Sequence, residues 1–473
     1  MVALSSTTLN CVPVEILVIL HTISVMILIP VQSYYVIDKT AKQHNQVHIL
    51  KDSESACHVS NATNINHIND SSVIIQKKAA ENLMHLSLCV TIVSVIPIFL
   101  FGYLSDVYGR RQMWTVCACG TLAKEIILLL TVVLELPTWV LYFGQVIFAL
   151  TGTYSGAMVI IFGSIADTTN EGKDRSFRIT VVQGTGMLTA AVTTFGMGFW
   201  ILEETFRYPI IMTLFLTTIN LVLGLLMLPQ KKQPATKLKT VLAPFKIYID
   251  ANSERRRKMF LCLAVFLLLS SCLVGKLGYQ KLFLMRNPLC WNVLHVQILR
   301  AVQTLFNTIF VIGIVRLLLR ITSESIILIV GIVSTVSYLI VFGFSINDLM
   351  VYSHVIVGCM SIAVFPMLRA TLSKLVSSDE QGSVFASMAC LDELVAAFAH
   401  LTYGKLYTFS VARFPGLIFL VMAGVSIITL FGAIVLHGWM HKDPKDTKES
   451  VIELSYIKSS SFSRDTTETG NAI

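Results

Sequence analysis

The sequence predicts an all-α membrane protein, with twelve transmembrane helices in two pseudo-symmetric six-helix bundles. Composition is the first observation behind this. Of 473 residues, 54% are hydrophobic and only 14% charged, with a mean hydropathy of +0.71. A soluble chain carries about 25% charged residues, so this one lacks the solvated side chains to cover soluble domains, and most soluble-enzyme classes are excluded. Second, apolar stretches of about 20 residues, the length that crosses a bilayer core, recur about twelve times. Third, one basic segment lies midway and leaves six stretches on each side.

In chain order, the first span is 12–37. No Lys or Arg precedes it and no small-residue cleavage pattern follows, so it reads as a retained helix, not a secretion signal. A polar segment, 38–81, is rich in Asn, His and Ser. Spans follow at 82–104, 112–133, 138–165, 177–200 and 208–228, completing an N-terminal bundle over residues 1–228. Residues 229–258 form a linker with nine basic residues, ending in the run Arg255, Arg256, Arg257, Lys258. The C-terminal bundle, 259–437, holds spans 259–284, 293–318, 324–346, 348–374, 382–408 and 413–437. A Ser/Thr-rich tail, 438–473, has the composition of a disordered segment.

Counted over alternate connections, the side holding both termini has about twice the Lys and Arg of the other, which places both termini in the cytoplasm. The 36 basic against 28 acidic residues, a net charge of +8, express that bias and imply no nucleic-acid partner. All five tryptophans fall at expected span ends, where an indole prefers the membrane interface. The two N-x-S/T sequons, at Asn61 and Asn69, both lie in the extracytoplasmic segment 38–81, where glycosylation is possible. Of ten cysteines, only Cys57 and Cys290 fall in extracytoplasmic connections, where oxidation is permitted, and they are expected to pair.

After the second span the chain reads Gly102-Tyr-Leu-Ser-Asp106-Val-Tyr-Gly109-Arg110-Arg111. Gly109 permits a tight turn, and Asp106 can pair with an Arg or cap a helix N-terminus. This pattern resembles the loop motif of the major facilitator superfamily, which implies its alternating-access fold. Acidic-Gly loops recur after the fourth span, with Asp167, Glu171 and Arg175, and after the tenth, with Glu380 and Gly382. The expected cytoplasmic gate is Asp106, Gly109, Arg110, Asp167, Glu171 and Arg175. The loop Arg316–Glu324 lacks the matching Asp and Gly, so the second-half clasp reads as degenerate.

Ionisable residues inside spans are costly and are functional candidates. Lys124 and Glu125 form either an internal pair or an interfacial one, and Lys276 and Lys281 read as snorkelling outward. Arg300, Arg369, Asp392 and Glu393 form the candidate substrate and proton pathway. A buried Arg needs an anionic partner from protein or substrate, and a buried carboxylate can carry a proton. No metal-ligand cluster, phosphate-binding loop or nucleophile motif is present, so neither an enzyme nor a cofactor is expected.

Asn287-Pro-Leu-Cys-Trp-Asn292, Leu368-Arg-Ala-Thr-Leu-Ser-Lys-Leu375, Glu380-Gln-Gly-Ser-Val-Phe-Ala386 and Phe414-Pro-Gly416 resemble solute carrier family 46. The resemblance implies substrate and proton handling at Arg369, gate roles for Asp106 and Asp167, and the Cys57–Cys290 disulfide. Where the family carries a helix-five carboxylate, this chain has Gln183, which cannot titrate, leaving Asp392 to take over coupling. The expected function is secondary active transport of a small organic anion, such as a steroid conjugate or a folate-like or muropeptide-like solute. It would be driven by a proton gradient, in a monomer of the plasma or lysosomal membrane. The alternative is a transporter-fold receptor or scaffold, or an uncoupled facilitator.

Overall fold

The computed structural model describes residues 12–43, 65–168, 173–203, 206–228, 253–310, 316–376 and 381–441. Helices stand at all twelve expected spans. The first half holds α1 (Val12–Gln43), α2 (Ile65–Tyr108), α3 (Arg110–Val133), α4 in two pieces (Val140–Leu150 and Thr153–Thr168), α5 (Lys173–Glu203) and α6 (Arg207–Met227). The second holds α7 (Ser253–Leu284), α8 (Val293–Phe310) with a short helix Arg316–Ile321 after it, and α9 (Glu324–Gly343). Then come α10 in two pieces (Asp348–Val357 and Val364–Lys374), α11 (Gln381–Ser410) and α12 (Leu417–His441). Among the described residues, eight helices are long and apolar enough to cross a membrane, nine with bent α10 counted as one span. The other three, α5, α8 and α11, carry Gln183, Arg300 and the Asp392–Glu393 pair, and with α2 they form the contact between halves.

The packing repeats with a shift of six helices. In the first half α3 packs on α6, and α1 on both α5 and α6. In the second, α9 packs on α12, and α7 on both α11 and α12. Across the halves α5 meets α8 and α2 meets α11, again related by six. Two internal copies related in this way are what an alternating-access fold requires.

Lipid offers no hydrophobic drive between helices, so close approach rests on small residues and van der Waals packing. A Cβ at Gly224 of α6 would collide with the Trp114 ring, and one at Gly120 of α3 would collide with Thr151 Oγ1. Trp114, in the first turns of α3 and so near the span end, is consequently buried against its neighbours. Trp291 is buried as well and donates to Asp348 Oδ1 at 2.7 Å, whereas Trp139 is exposed.

Two spans break, and they are the symmetry partners α4 and α10. In α4, Gly152 and Thr153 adopt φ of 95° and 56°, and the Phe101 ring of α2 sits where a Gly152 side chain would stand. In α10 the two pieces bend by 42°. Broken membrane helices are tolerated where protein or a polar cavity satisfies the freed backbone. The polar segment 38–81 is shorter as a loop than expected: α1 runs to Gln43 and α2 begins at Ile65, so Asn69 falls in the first turns of a helix. Asn61, Cys57 and the basic linker 229–252 lie outside the described residues.

Candidate functional site

α10, α11 and α7 bring three groups together in the second half. Arg369 follows the bend of α10, and its guanidinium lies 5.9 Å from the Phe266 ring centroid of α7. It lies near enough to Asp392 of α11 for the two charges to interact. Ser270 of α7 donates to Asp392 Oδ1. The carboxylate thus has a cation on one side and a hydroxyl donor on the other, the arrangement expected of a charge that pairs or titrates. Glu393, the next residue, accepts instead from Ser155 of α4 at 3.1 Å. Neighbours in a helix point about 100° apart, so the Asp392–Glu393 pair serves both halves at once. Ser155 reaches Glu393 from the first turn after the α4 break. Neither Ser270 nor Ser155 was legible in advance, because a serine in an apolar helix carries no distinguishing pattern.

Arg300 does not join Arg369. It is half-buried in α8, close enough to Lys281 of α7 and Tyr34 of α1 to interact with both electrostatically. The Tyr34 hydroxyl and both amide atoms of Gln297, one turn before Arg300, are buried with no hydrogen-bond partner among the described residues. Lys281 therefore faces inward and does not snorkel. Lys276 likewise lies 4.1 Å from the Tyr338 ring centroid. Gln183 is exposed on α5 and contacts none of these groups.

Where α2 turns into α3, Gly109 has φ 96°, a left-handed conformation that favours glycine. Arg110 is buried and donates to Ser105 Oγ. Its guanidinium occupies the space beside Gly163 of α4, where a Cβ would lie 2.5 Å from Cζ. This ties the loop to the end of α4. Beside it Arg178 of α5 pairs with Glu15 of α1 at 3.7 Å, and Arg111 Nε donates to the last carbonyl region of α6, at Leu228 O, 3.0 Å away. Glu171 and the side chains of Asp106, Asp167 and Arg175 lie outside the described residues.

The second half has a clasp of its own. Lys374, ending α10, pairs with Glu324, opening α9, at 3.0 Å, and Arg255 Nε donates to Leu375 O at 2.6 Å. The degenerate loop after α8 is thus replaced by a different ion pair between the same class of helix ends. At this end the charged contacts Arg110–Ser105, Arg178–Glu15, Lys374–Glu324 and Arg255–Leu375 each join residues of one half.

At the opposite end the halves touch. Tyr407 of α11 donates to Gln76 of α2 at 3.3 Å, Gly404 abuts Met84, and Gly198 of α5 abuts Gln297 of α8. Cys290, before α8, is disulfide-bonded.

Comparison with known proteins agrees with this architecture. The Major Facilitator Superfamily model matches residues 16–400. The proton-coupled folate transporter of Bos taurus is 26% identical over 351 residues, covering 73% of this chain and 75% of that one. The lysosomal proton-coupled steroid conjugate and bile acid symporter of Homo sapiens is 25% identical over 367 residues, covering 75% and 79%. Both relatives are members of solute carrier family 46, the group that the sequence motifs resemble. Among solved structures, a single-site mutant of the nucleoside transporter NupG superposes with a TM-score of 0.67 at 14% identity, over 90% of this chain and 99% of that one. The human organic anion transporter MFSD10 superposes at 0.62 and 13% over the same shares. At such identities these structures speak to the fold alone. With six helices repeated by six, paired breaks in α4 and α10, and a family match spanning most of its length, the chain belongs to the major facilitator superfamily.

Proposed function

We propose that this multi-pass membrane protein is a secondary active transporter that carries a small organic anion together with a proton, by alternating access between its two halves. The observation that carries the reading is Arg369 facing Asp392. While Asp392 is ionised it competes with an anionic solute for the same guanidinium. A proton on Asp392 removes the competitor, so proton and anion favour each other's binding and by linkage travel together. The fold match, and relatives described as proton-coupled carriers of folate or of steroid conjugates and bile acids, support the same reading. With the termini in the cytoplasm, the touching ends are extracytoplasmic. The gradient supplies the driving force, a monomer suffices, and the membrane is plasma or lysosomal. Cys57 is the proposed partner of Cys290.

Gln183 favours a second reading, uncoupled facilitation, because it removes a titratable group from α5. The experiment is uptake into proteoliposomes of radiolabelled folates, sulfated steroids, bile acids and muropeptides, with and without an inward proton gradient. Accumulation of at least one solute that collapses with the gradient is expected. Uptake indifferent to the gradient would establish the facilitator instead, and binding without flux the receptor.

A further inference from the structure

Lys124 and Glu125 of α3 share the membrane interior and interact through space, but form no salt bridge with each other. Glu125 is fully buried and points to α6, where Thr217 donates to its Oε1 at 2.9 Å. Lys124, about 100° round the helix, points to α4, its ammonium 4.2 Å from the Phe148 ring centroid. It is 9% exposed and forms no salt bridge among the described residues.

Lys124 lines a cleft of about 240 Å³, walled by α1 to α4, with His400 of α11 also on its wall. Beside it stands Gln145, 4% exposed, whose amide oxygen has no hydrogen-bond partner among the described residues. An amide rotates about its last bond and so presents either its NH2 or its oxygen to a ligand. Gln32 adds a second amide, and Leu86, Val90 and Phe148 supply apolar wall. Glu125 is a counter-charge to Lys124 through space, but it is held by Thr217 of α6 and does not line the cleft, into which Lys124 brings a cation without a carboxylate. A cation and two amides that can turn their NH2 groups to one cleft are the donors of an oxyanion site, and the apolar wall suits the body of an organic acid.

We infer that Lys124 is the counter-ion of an anion site separate from Arg369, one that takes the carboxylate or sulfonate of a small organic monoanion. The volume lies below the roughly 300 Å³ at which drug-sized sites begin, so it fits a benzoate-sized acid or the charged end of a longer solute. Because α2 and α11 meet across the halves and His400 is part of the wall, the site is whole only while they are packed together. Occupancy then favours that arrangement. This last role rests on the transport reading, whereas the binding itself does not.

The test is equilibrium binding of radiolabelled benzoate to the full chain in nanodiscs. No pH gradient is applied, so a failure of proton coupling leaves the result untouched. Saturable binding is expected, with competition by benzenesulfonate and none by benzamide, which has the same body without the charge. Lys124→Gln should weaken binding at least tenfold, and Lys124→Arg should stay within threefold of the parent. A measurement independent of folding defects at Lys124 uses Ser87→Cys in the cleft wall, labelled with maleimide and read by peptide mass spectrometry. Benzoate should slow that labelling at least threefold, and benzamide should not. Equal binding by Lys124→Gln, competition by benzamide, or an unprotected Ser87→Cys would overturn the proposal.

Discussion

Arg369 and Asp392 show what a single position can disclose. Each was legible in the sequence as a charge inside an apolar span, since the cost of placing it there marks it. That they meet was not legible, because 22 intervening residues and a 42° bend set their approach. The same limit misplaced Lys281 and Arg300: sequence gives depth in the membrane but not azimuth, and both turn inward to form a cluster remote from Arg369. If Arg369 holds the anion through charge-assisted hydrogen bonds worth about 1.5–3 kcal/mol, Arg369→Gln should weaken anion binding by about 10- to 150-fold. Measured affinity within threefold of the parent would remove Arg369 from the site. Gly163→Val tests the Arg110 contact. A Cβ there meets the guanidinium at 2.5 Å, so the variant should lose transport while remaining folded by its thermal unfolding midpoint, and Gly163→Ala should be intermediate.

Helices were the most legible features, because a 20-residue apolar run has one solution in a bilayer. Their ends were less so. The extensions of α1 to Gln43 and α2 back to Ile65 are polar, and hydropathy does not report helix that continues into water. The breaks in α4 and α10 were missed for a different reason: glycine in a membrane span is common, and only the Phe101 ring beside Gly152 shows why this one interrupts the helix. At this scale stability rests on close approach. Gly224→Leu drives a side chain into Trp114 and should destabilise the first half by about 1–3 kcal/mol, visible as a lowered unfolding midpoint in detergent. An unchanged midpoint would mean that α3 and α6 are held by other contacts. Lys374→Glu should open the α9–α10 clasp, and Lys374→Glu with Glu324→Lys should restore transport toward the parent level.

The whole molecule is two copies of one packing scheme joined at α2–α11 and α5–α8. The six-plus-six division was readable from the basic linker, whereas the end at which the halves touch required the contacts themselves. A Gly198 Cβ would lie 3.0 Å from that of Gln297, so a small outward shift brings the pair to the roughly 3.5–4.5 Å of a disulfide. Gly198→Cys with Gln297→Cys should therefore oxidise readily, stop flux, and regain it on reduction; flux unaffected by the crosslink would mean that these ends do not separate. The central claim is that a proton on Asp392 releases Arg369 to the anion, and the most direct test is proteoliposome uptake by Asp392→Asn. The substitution fixes the neutral state, so the account predicts that anion equilibration persists at a rate independent of the proton gradient. Retention of gradient-driven accumulation by Asp392→Asn would contradict it.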